Sequence, residues 1–233
     1  MSTNSVLDNP IWNALNTGDL IKNKGNEFVR HFDSNIAPFI GMANWKEDSQ
    51  KKIIELNQPD REWFLLIADT LHFIEQLELL VTMPIHQFVC SNLNTAPIKD
   101  NQIEFIPLNE THIEEMLVLT ALTKPGPFSK DTIQFGNYHG IFENGKLVAM
   151  GGERMHVANY TEISAICTHP DSQGKGYAAR ITQFLAAAII DKGQIPFLHA
   201  RTDNTKAIEV YKRLGFELRT TVNFYMFKHK KFN

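Results

Sequence analysis

The sequence has few cysteines, no long apolar run and no excess of charge of one sign. Its two cysteines, Cys90 and Cys167, form no CxxC pair, which excludes a disulfide scaffold. No HxH, HExxH or CxxC spacing is present, so we expect no metal site. No apolar run approaches the roughly 18 residues that a membrane-spanning helix needs. The net charge of −3 gives no basic field of the kind that attracts nucleic acid or an anionic membrane, so we expect neither as a partner.

The remaining composition is that of an ordinary globular protein. Apolar residues make up 43% and charged residues 21% of the 233 positions, which is enough to build a real core. This length allows one large domain or two small ones. The N-terminal stretch has neither a basic segment nor a continuous apolar segment, so we expect no signal peptide. The expectation is a cytoplasmic α/β or α+β protein, either a monomer or a homodimer.

A loop divides the chain into two predicted domains. Residues 91–102 are almost entirely turn and loop formers, which is typical of a domain boundary. We therefore predict an N-terminal mixed α/β region over residues 1–100 and a second domain over residues 101–233. No repeat and no low-complexity tract occurs in either part.

The N-terminal region gives weak signals. Short helices are predicted near residues 11–15 and 46–56, and the apolar run 63–68 predicts a buried strand. Residues 78–88 also resemble a strand, but Pro84 cannot donate to a ladder and so predicts an edge strand or a bulged one.

The second domain has clearer signals. Asn144-Gly145 between two β-like runs predicts a tight hairpin. The element order β-α-α-β-β-β-α-β-α-β predicts a mixed sheet with one right-handed β-α-β crossover. The predicted strands cover residues 103–108, 138–142, 147–155, 160–168, 195–200 and 216–227, and the predicted helices cover 111–123, 129–135, 177–191 and 205–214.

The loop at residues 171–176 carries the strongest chemical signal. Gly174 and Gly176 leave the backbone N–H groups unobstructed at the start of an amphipathic helix, an arrangement that binds phosphate or pyrophosphate, and Lys175 adds charge at the rim. An ordinary strand-to-helix turn is one alternative. A dinucleotide site is another, because residues 174–179 fit G-x-G-x-x-A, but antiparallel hairpins precede this loop and only two strands follow it.

Two motifs resemble those of one family. Gln173-x-x-Gly176-x-Ala178 matches the Q/R-x-x-G-x-G/A signature of the GNAT superfamily of acyl-coenzyme-A N-acyltransferases. Residues 204–216, with Asn204, Tyr211 and Gly215-Phe216, are similar to the helix of that family that ends in Y-x-x-x-G-F. The resemblance covers residues 103–228 and implies an α/β fold with a mixed α+β sheet of the GNAT type. The N-terminal strand order faintly resembles the same pattern, which suggests a degenerate GNAT-like half that helps to close the acceptor pocket.

The resemblance implies acetyl-coenzyme A as the co-substrate. In this family the loop amides wrap the pyrophosphate, and the preceding strand splays at a bulge, pairs with the pantetheine arm and polarises the thioester carbonyl near Ile166 or Cys167. The residues expected to bind the coenzyme are Ile166, Cys167, Thr168, Gln173, Gly174, Lys175, Gly176, Tyr177, Ala178, Ala179 and Asn204.

The resemblance also implies two catalytic residues. Tyr211 is the candidate general acid that protonates the departing thiolate; the alternative is a tyrosine that only packs beneath the motif. Glu162 is the candidate general base, and this role would be helped by a raised pKa in an apolar cleft. The alternative is a solvent-facing strand glutamate paired with Arg154 or a lysine.

Three other residues have structural alternatives. Cys167 is more typical of a small core residue than of a nucleophile. His156 and His199 either line the substrate cleft or are satisfied structural histidines. By family position, the rigid loop at residues 124–128 borders the acceptor pocket.

The sequence thus predicts an N-acetyltransferase that moves acetyl from acetyl-coenzyme A directly to a primary amine of a small molecule, amino acid or peptide. The alternative is a non-catalytic acyl-coenzyme-A sensor, for which neither Glu162 nor Tyr211 would be needed.

Overall fold

A computed structural model describes residues 5–96 and 103–231. The helices are α1 (Pro10–Ala14), α2 (Glu47–Ile54), α3 (Ile113–Thr123), α4 (Tyr177–Asp191) and α5 (Thr205–Arg213). The strands are β1 (Val29–His31), β2 (Ile40–Met42), β3 (Trp63–Ile67), β4 (Leu77–Val89), β5 (Ile106–Pro107), β6 (His139–Glu143), β7 (Lys146–Val157), β8 (Tyr160–Thr168), β9 (Ile195–Arg201) and β10 (Glu217–His229).

Eight strands form one sheet in the order β3-β10-β4-β9-β8-β7-β6-β5. Neighbours are antiparallel except β8 and β9, which are parallel and are joined through α4. A parallel pair requires such a crossover, whereas antiparallel neighbours can be joined by tight turns. The mixed α/β sheet predicted from the sequence is confirmed.

Local sequence explains the elements around the crossover. Asn144 and Gly145 have φ values of +51° and +74°, the left-handed pair that a two-residue hairpin turn needs. Along α4, Ile181, Leu185 and Ile189 recur at helical spacing and are fully or almost fully buried. This apolar stripe holds α4 against the sheet, where it contacts β7, β8 and β9.

The N-terminal region contributes two strands to this same sheet. β4 lies between β9 and β10, and β3 pairs with the other side of β10. The predicted boundary at residues 91–102 falls partly on residues 97–102, which lie outside the described residues. The division into two domains stays a prediction, and the sheet joins the two parts through long ladders.

The edge position predicted for the strand containing Pro84 is wrong. β4 is an interior strand, paired with β10 along most of its length and with β9 from Ile85 onward. Pro84 therefore stands just outside the β9 ladder, where its missing N–H breaks no pairing with that strand. The sequence also allowed a bulged strand. The ladder between β4 and β10 does contain a register shift, between Leu79 and Val81 of β4.

Among the described residues, no helix is both long enough and apolar enough to cross a membrane.

Candidate active site

The strands β8 and β9 run side by side for only three residue pairs and then diverge. Tyr160–Glu162 pair with Ile195–Phe197, and beyond Glu162 the ladders of β8 run only to β7 on its other side. Ala165 has a φ of +54°, and the ladder to β7 is interrupted around it. Residues 163–168, the free segment, therefore present N–H and C=O groups along one side to a gap, where an extended ligand chain can pair with them.

The three strand residues predicted to bind a coenzyme lie in this free segment. Ile166 packs over Gly151. Cys167 is buried, and its burial raises the pKa of the thiol to about 11, so it stays protonated, as a small core residue does. The Thr168 hydroxyl is buried without a hydrogen-bond partner among the described residues. Coenzyme binding by these residues stays a prediction.

Residues 173–179, the amide loop, present a row of free donors at the start of α4. The first helical hydrogen bond runs from Arg180 N–H to the Gly176 carbonyl at 3.1 Å, and the amides of residues 174–179 donate to no acceptor in the described part of the chain. Gly174 and Gly176 have φ values of +81° and +80°, which glycine adopts without penalty. The positive end of the helix dipole lies behind these donors, so the amide loop suits a phosphate or pyrophosphate.

Glu143, at the end of β6, holds the amide loop in place. Its carboxylate accepts hydrogen bonds from Ser172 Oγ at 2.7 Å, Lys175 Nζ at 2.7 Å and the Tyr177 hydroxyl at 2.5 Å. These hydrogen bonds lower the pKa of Glu143 to about 2, and the bond from Lys175 has the largest effect. Glu143 is not predictable from the sequence because it stands 29 residues before Ser172 and no local pattern marks it.

Glu162 is fully buried and ion-paired. Nε and Nη2 of Arg154 donate to its two carboxylate oxygens at 2.7 and 2.5 Å, and His199 Nδ1 lies 2.7 Å from Oε1. Burial favours the neutral acid, but the Arg154 charge and the hydrogen bonds outweigh it and lower the pKa of Glu162 to about 2. The raised pKa that would help a general base is therefore absent, and the base role of Glu162 stays a prediction. The alternative pairing with Arg154 is present, although it is buried and does not face solvent.

His199 links Glu162 to the N-terminal region through Gln87 on β4. Gln87 Nε2 lies 3.0 Å from both the Leu7 carbonyl and His199 Nε2, while its Oε1 accepts from Arg219 Nε at 2.5 Å. A carbonyl can only accept and a guanidinium can only donate, so these two partners fix the orientation of the amide. Gln87 then donates to His199 Nε2, and the ring proton of neutral His199 lies on Nδ1, where it is donated to Glu162.

Tyr211 lies on α5 with a buried ring. The ring packs against Phe88 and Phe216 at centroid distances of 6.2 and 6.0 Å. Burial raises the pKa of its hydroxyl to about 12, so Tyr211 keeps its proton at neutral pH. Asn204 caps the same helix, its Oδ1 accepting from the Ala207 N–H at 3.2 Å. The acid role of Tyr211 and the coenzyme contact of Asn204 stay predictions.

A pocket of about 350 Å³, the Arg154 pocket, opens beside the buried ion pair. Residues 124–127 form one wall, and the prediction that this loop borders an acceptor pocket stays a prediction. The N-terminal region supplies other walls that the sequence analysis did not identify. The lining consists of Phe39, Phe64, Leu66, Met83, Ile85, Lys124, Pro125, Gly126, Pro127, Arg154, His199, Ala200, Arg201 and Phe224.

His156 does not line the Arg154 pocket and has a structural role. Its Nδ1 lies 3.0 Å from Asp19 Oδ1, and its Nε2 lies 3.2 Å from Glu153 Oε2. Burial opposes protonation, but these two carboxylates outweigh it and raise the pKa of His156 to about 9. His156 thus ties the segment that contains Asp19 to β7.

Replacing His156 with glutamine should remove a pH-dependent part of the stability. The pKa of about 9 in the folded state exceeds the unfolded value of about 6.5. The contribution is therefore fully present below about pH 6.5 and is lost as the pH rises through about 9. Urea unfolding at pH 6 and pH 10 measures it, with the exposed His72 replaced by glutamine as the control. If the parent and the His156 variant lost the same stability between pH 6 and pH 10, the pairing of His156 with Asp19 and Glu153 would not be the source of the pH dependence.

Comparison with known proteins finds similarity in both sequence and fold. Residues 138–225 match the family model described as FR47-like protein. The chain is similar to a solved GNAT-family protein from Novosphingobium aromaticivorans DSM 12444, named as an acetyltransferase, with 28% identity, coverage of 98% of this chain and 100% of that one, and a TM-score of 0.89. It shares the fold of a GCN5-related N-acetyltransferase from Kribbella flavida, with 13% identity, coverage of 95% and 96%, and a TM-score of 0.62.

A curated relative matches over a shorter stretch. The mycothiol acetyltransferase of Mycolicibacterium gilvum (strain PYR-GCK) is 27% identical over 85 residues, which is 34% of this chain and 28% of that protein. The match thus spans little more than a quarter of the length of the curated relative. The FR47-like match contains the free segment, the amide loop and α5.

Proposed function

We propose that this chain, which belongs to the GNAT superfamily of acyl-coenzyme-A N-acyltransferases, transfers acetyl from acetyl-coenzyme A directly to a primary amine of a small molecule, amino acid or peptide. That it is an acyltransferase follows from the relatives. The observation that carries the finer proposal is the amide loop, which lies just beyond the free segment. The two features offer donors for a pyrophosphate and an open strand edge for an extended arm.

The residues present fit coenzyme A. The free amides of residues 174–179 and the helix dipole supply a site for the pyrophosphate, and Lys175, which is paired with Glu143, lies beside it. The N–H and C=O groups of residues 166–168 that face away from β7 would pair with the amides of the pantetheine arm, as one strand pairs with another. The Thr168 hydroxyl, buried without a partner among the described residues, provides one further polar group there.

Acetyl transfer to an amine requires three contributions from the protein. Acetyl-coenzyme A supplies an acetyl thioester, whose carbonyl carbon the amine attacks with release of the thiolate. An N–H near Ile166 or Cys167 would donate to the carbonyl oxygen as negative charge develops on it, which is worth about 3 kcal/mol. Tyr211 would donate its proton to the departing sulfur, and its hydroxyl, whose pKa burial raises to about 12, carries that proton at neutral pH.

The third task is to remove the proton of the amine, for which Glu162 is the predicted base. Its carboxylate is ionised at neutral pH, but a pKa of about 2 makes it a weak base. Both of its oxygens also accept hydrogen bonds from Arg154. These contacts favour a second role, in which Glu162 holds Arg154 and His199 in position.

The proposal is tested by measuring thiol release from acetyl-coenzyme A with a panel of primary amines. We expect release that depends on the amine and yields the N-acetyl product. Coenzyme binding in calorimetry without release for any amine would favour the alternative of a sensor and contradict the proposed enzyme.

Replacing Gly174 with valine should weaken coenzyme A binding by at least about tenfold. Valine at a φ of +81° is strained, and its side chain would enter the open space above the amide loop. Calorimetric titration with coenzyme A measures the change. The control is Gly193→Val, which has a φ of +74° and open space but lies at the other end of α4. Equal affinities of the two variants would contradict a pyrophosphate site at Gly174.

A further inference from the structure

The Arg154 pocket has an apolar wall that would bind an apolar group. Phe64 lies between Phe39 and Phe224, with edge-on ring contacts at 6.4 and 5.2 Å. Leu66, Met83 and Ile85 extend this wall, and the lining residues come from both halves of the chain. At about 350 Å³ the pocket is at the lower end of the range for small-molecule sites. It fits a compact ligand with an aromatic or long aliphatic group.

Arg154 presents a free guanidinium nitrogen at this wall. Its Nε and Nη2 are used by Glu162, and its guanidinium lies 5.1 Å from the centre of the Phe39 ring. Nη1 has no hydrogen-bond partner among the described residues, and a Cβ at Gly126 would lie 3.9 Å from it. The arginine is nine-tenths buried, so it is a fixed and largely desolvated donor. Such a donor binds a carboxylate better than a neutral group.

The charge around the pocket also selects for a negative group. Lys124 and Arg201 line it together with Arg154; Arg201 is paired with Asp203, whereas Lys124 has no ion pair in the described part of the chain. Arg154 and the nearby carboxylate of Glu162 neutralise each other, so the uncompensated charge at the pocket is that of Lys124. Lys124 would therefore repel a positively charged ligand, which disfavours a polyamine or a lysine-rich peptide.

The pocket is connected to the place where the strands diverge. Glu162 is the last residue of β8 that pairs with β9, and it contacts both Arg154 and His199, which line the pocket. A ligand held by Arg154 therefore lies next to the start of the free segment, where the thioester is proposed to bind.

We infer that the acceptor is an amino acid, that is, a primary amine carrying a carboxylate together with an aromatic or long aliphatic side chain. The carboxylate would bind Nη1 of Arg154, and the apolar side chain would pack among Phe39, Phe64 and Phe224. This inference rests on the proposed function for the transfer step, but the binding of the ligand is independent of turnover.

The experiment compares L-phenylalanine with L-phenylalaninamide, which differ only in the carboxylate group, and adds spermidine as a polyamine without a carboxylate. With acetyl-coenzyme A, we expect kcat/KM for phenylalanine to exceed that for the amide by at least about tenfold, and spermidine to be the poorest acceptor. Lys124→Gln should reduce the preference for phenylalanine over the amide. Lys130→Gln is the matched control, since Lys130 is an exposed lysine of the same loop that does not line the pocket.

A second measurement separates this inference from the proposed function. Calorimetric titration with N-acetyl-L-phenylalanine and with its amide needs no turnover, and we expect the acid to bind at least about tenfold more tightly. Absence of transfer to any amine would contradict the proposed function, and this titration would still decide the inference. Equal binding of acid and amide, or transfer to spermidine as fast as to phenylalanine, would overturn the inference.

Discussion

Glu162→Gln should lower the free energy of unfolding at pH 7 by roughly 3 kcal/mol. The substitution removes the charge that compensates Arg154, which is nine-tenths buried and has no other ion pair among the described residues. It also leaves His199 without its carboxylate partner. A buried guanidinium without its carboxylate lowers the stability because its charge is then compensated neither by a counter-ion nor by water. Urea unfolding of parent and variant measures the difference directly.

The pH dependence of this difference has a definite sign. The pKa of Glu162 is about 2 in the folded state, below the unfolded value of about 4.3. The contribution of the carboxylate is therefore present above about pH 4.3 and is lost as the pH falls through about 2. Parent and glutamine variant should differ most near neutral pH and converge in acid. Glu143→Gln is the control, since it removes a carboxylate of similar pKa from a partly exposed strand end and should change stability less. A Glu162 variant as stable as the parent would contradict the buried pairing.

The same variant separates the two proposed roles of Glu162. If Glu162 accepts the proton of the amine, its loss should reduce the rate most below the pKa of the amine, where most acceptor molecules are protonated. If it only holds Arg154 and His199, the rate should fall by a similar factor at every pH. The ratio of kcat/KM between parent and variant, measured from pH 6 to pH 10 where both are folded, decides between these roles.

The sequence predicted the second half of the sheet well because its signals are local. The Asn144-Gly145 turn, the glycines at the start of α4 and the apolar stripe of that helix act within a few neighbouring residues. The strand predicted at residues 103–108 is only Ile106–Pro107, because β6 pairs with just these two residues. The helix predicted at residues 129–135 is a short 3-10 turn at Thr132–Phe135.

The rest of the site depends on contacts between distant parts of the chain. The β4 strand joins β9 and β10 through pairs such as Gln87 with His199, which are 112 residues apart, and no local pattern predicts such pairing. The Arg154 pocket was missed for the same reason, since Phe39 and Phe64 meet Arg154 only after the sheet has formed. Pairing of Glu162 with Arg154 was anticipated as an alternative, but the burial that makes it strong comes from this long-range assembly.

Tyr211→Phe should lower kcat by about a hundredfold or more while leaving coenzyme A affinity nearly unchanged. The substitution removes only the hydroxyl, so the ring contacts with Phe88 and Phe216 are kept. No hydrogen bond to the hydroxyl exists among the described residues, and stability should therefore change little. A residue that served packing alone would be replaced by phenylalanine without loss of rate. The large effect is thus expected only if the proton of Tyr211 reaches the departing thiolate.

The rate of transfer and the affinity for coenzyme A must be measured on the same preparation, so that a loss of catalysis is distinguished from a loss of binding. Thiol release at saturating substrates gives kcat, calorimetric titration gives coenzyme A affinity, and urea unfolding confirms that the variant is intact. Tyr160→Phe is the matched control. Tyr160 is a partly buried tyrosine with an edge-on aromatic contact to Phe197, and it lies at the start of β8, away from the amide loop. Since the pKa of Tyr211 is about 12, the parent should keep its acid up to pH 10, and the deficit of the Tyr211 variant should persist over that range. Equal kcat values for parent and variant at every pH would remove Tyr211 from the mechanism and leave protonation of the thiolate to solvent.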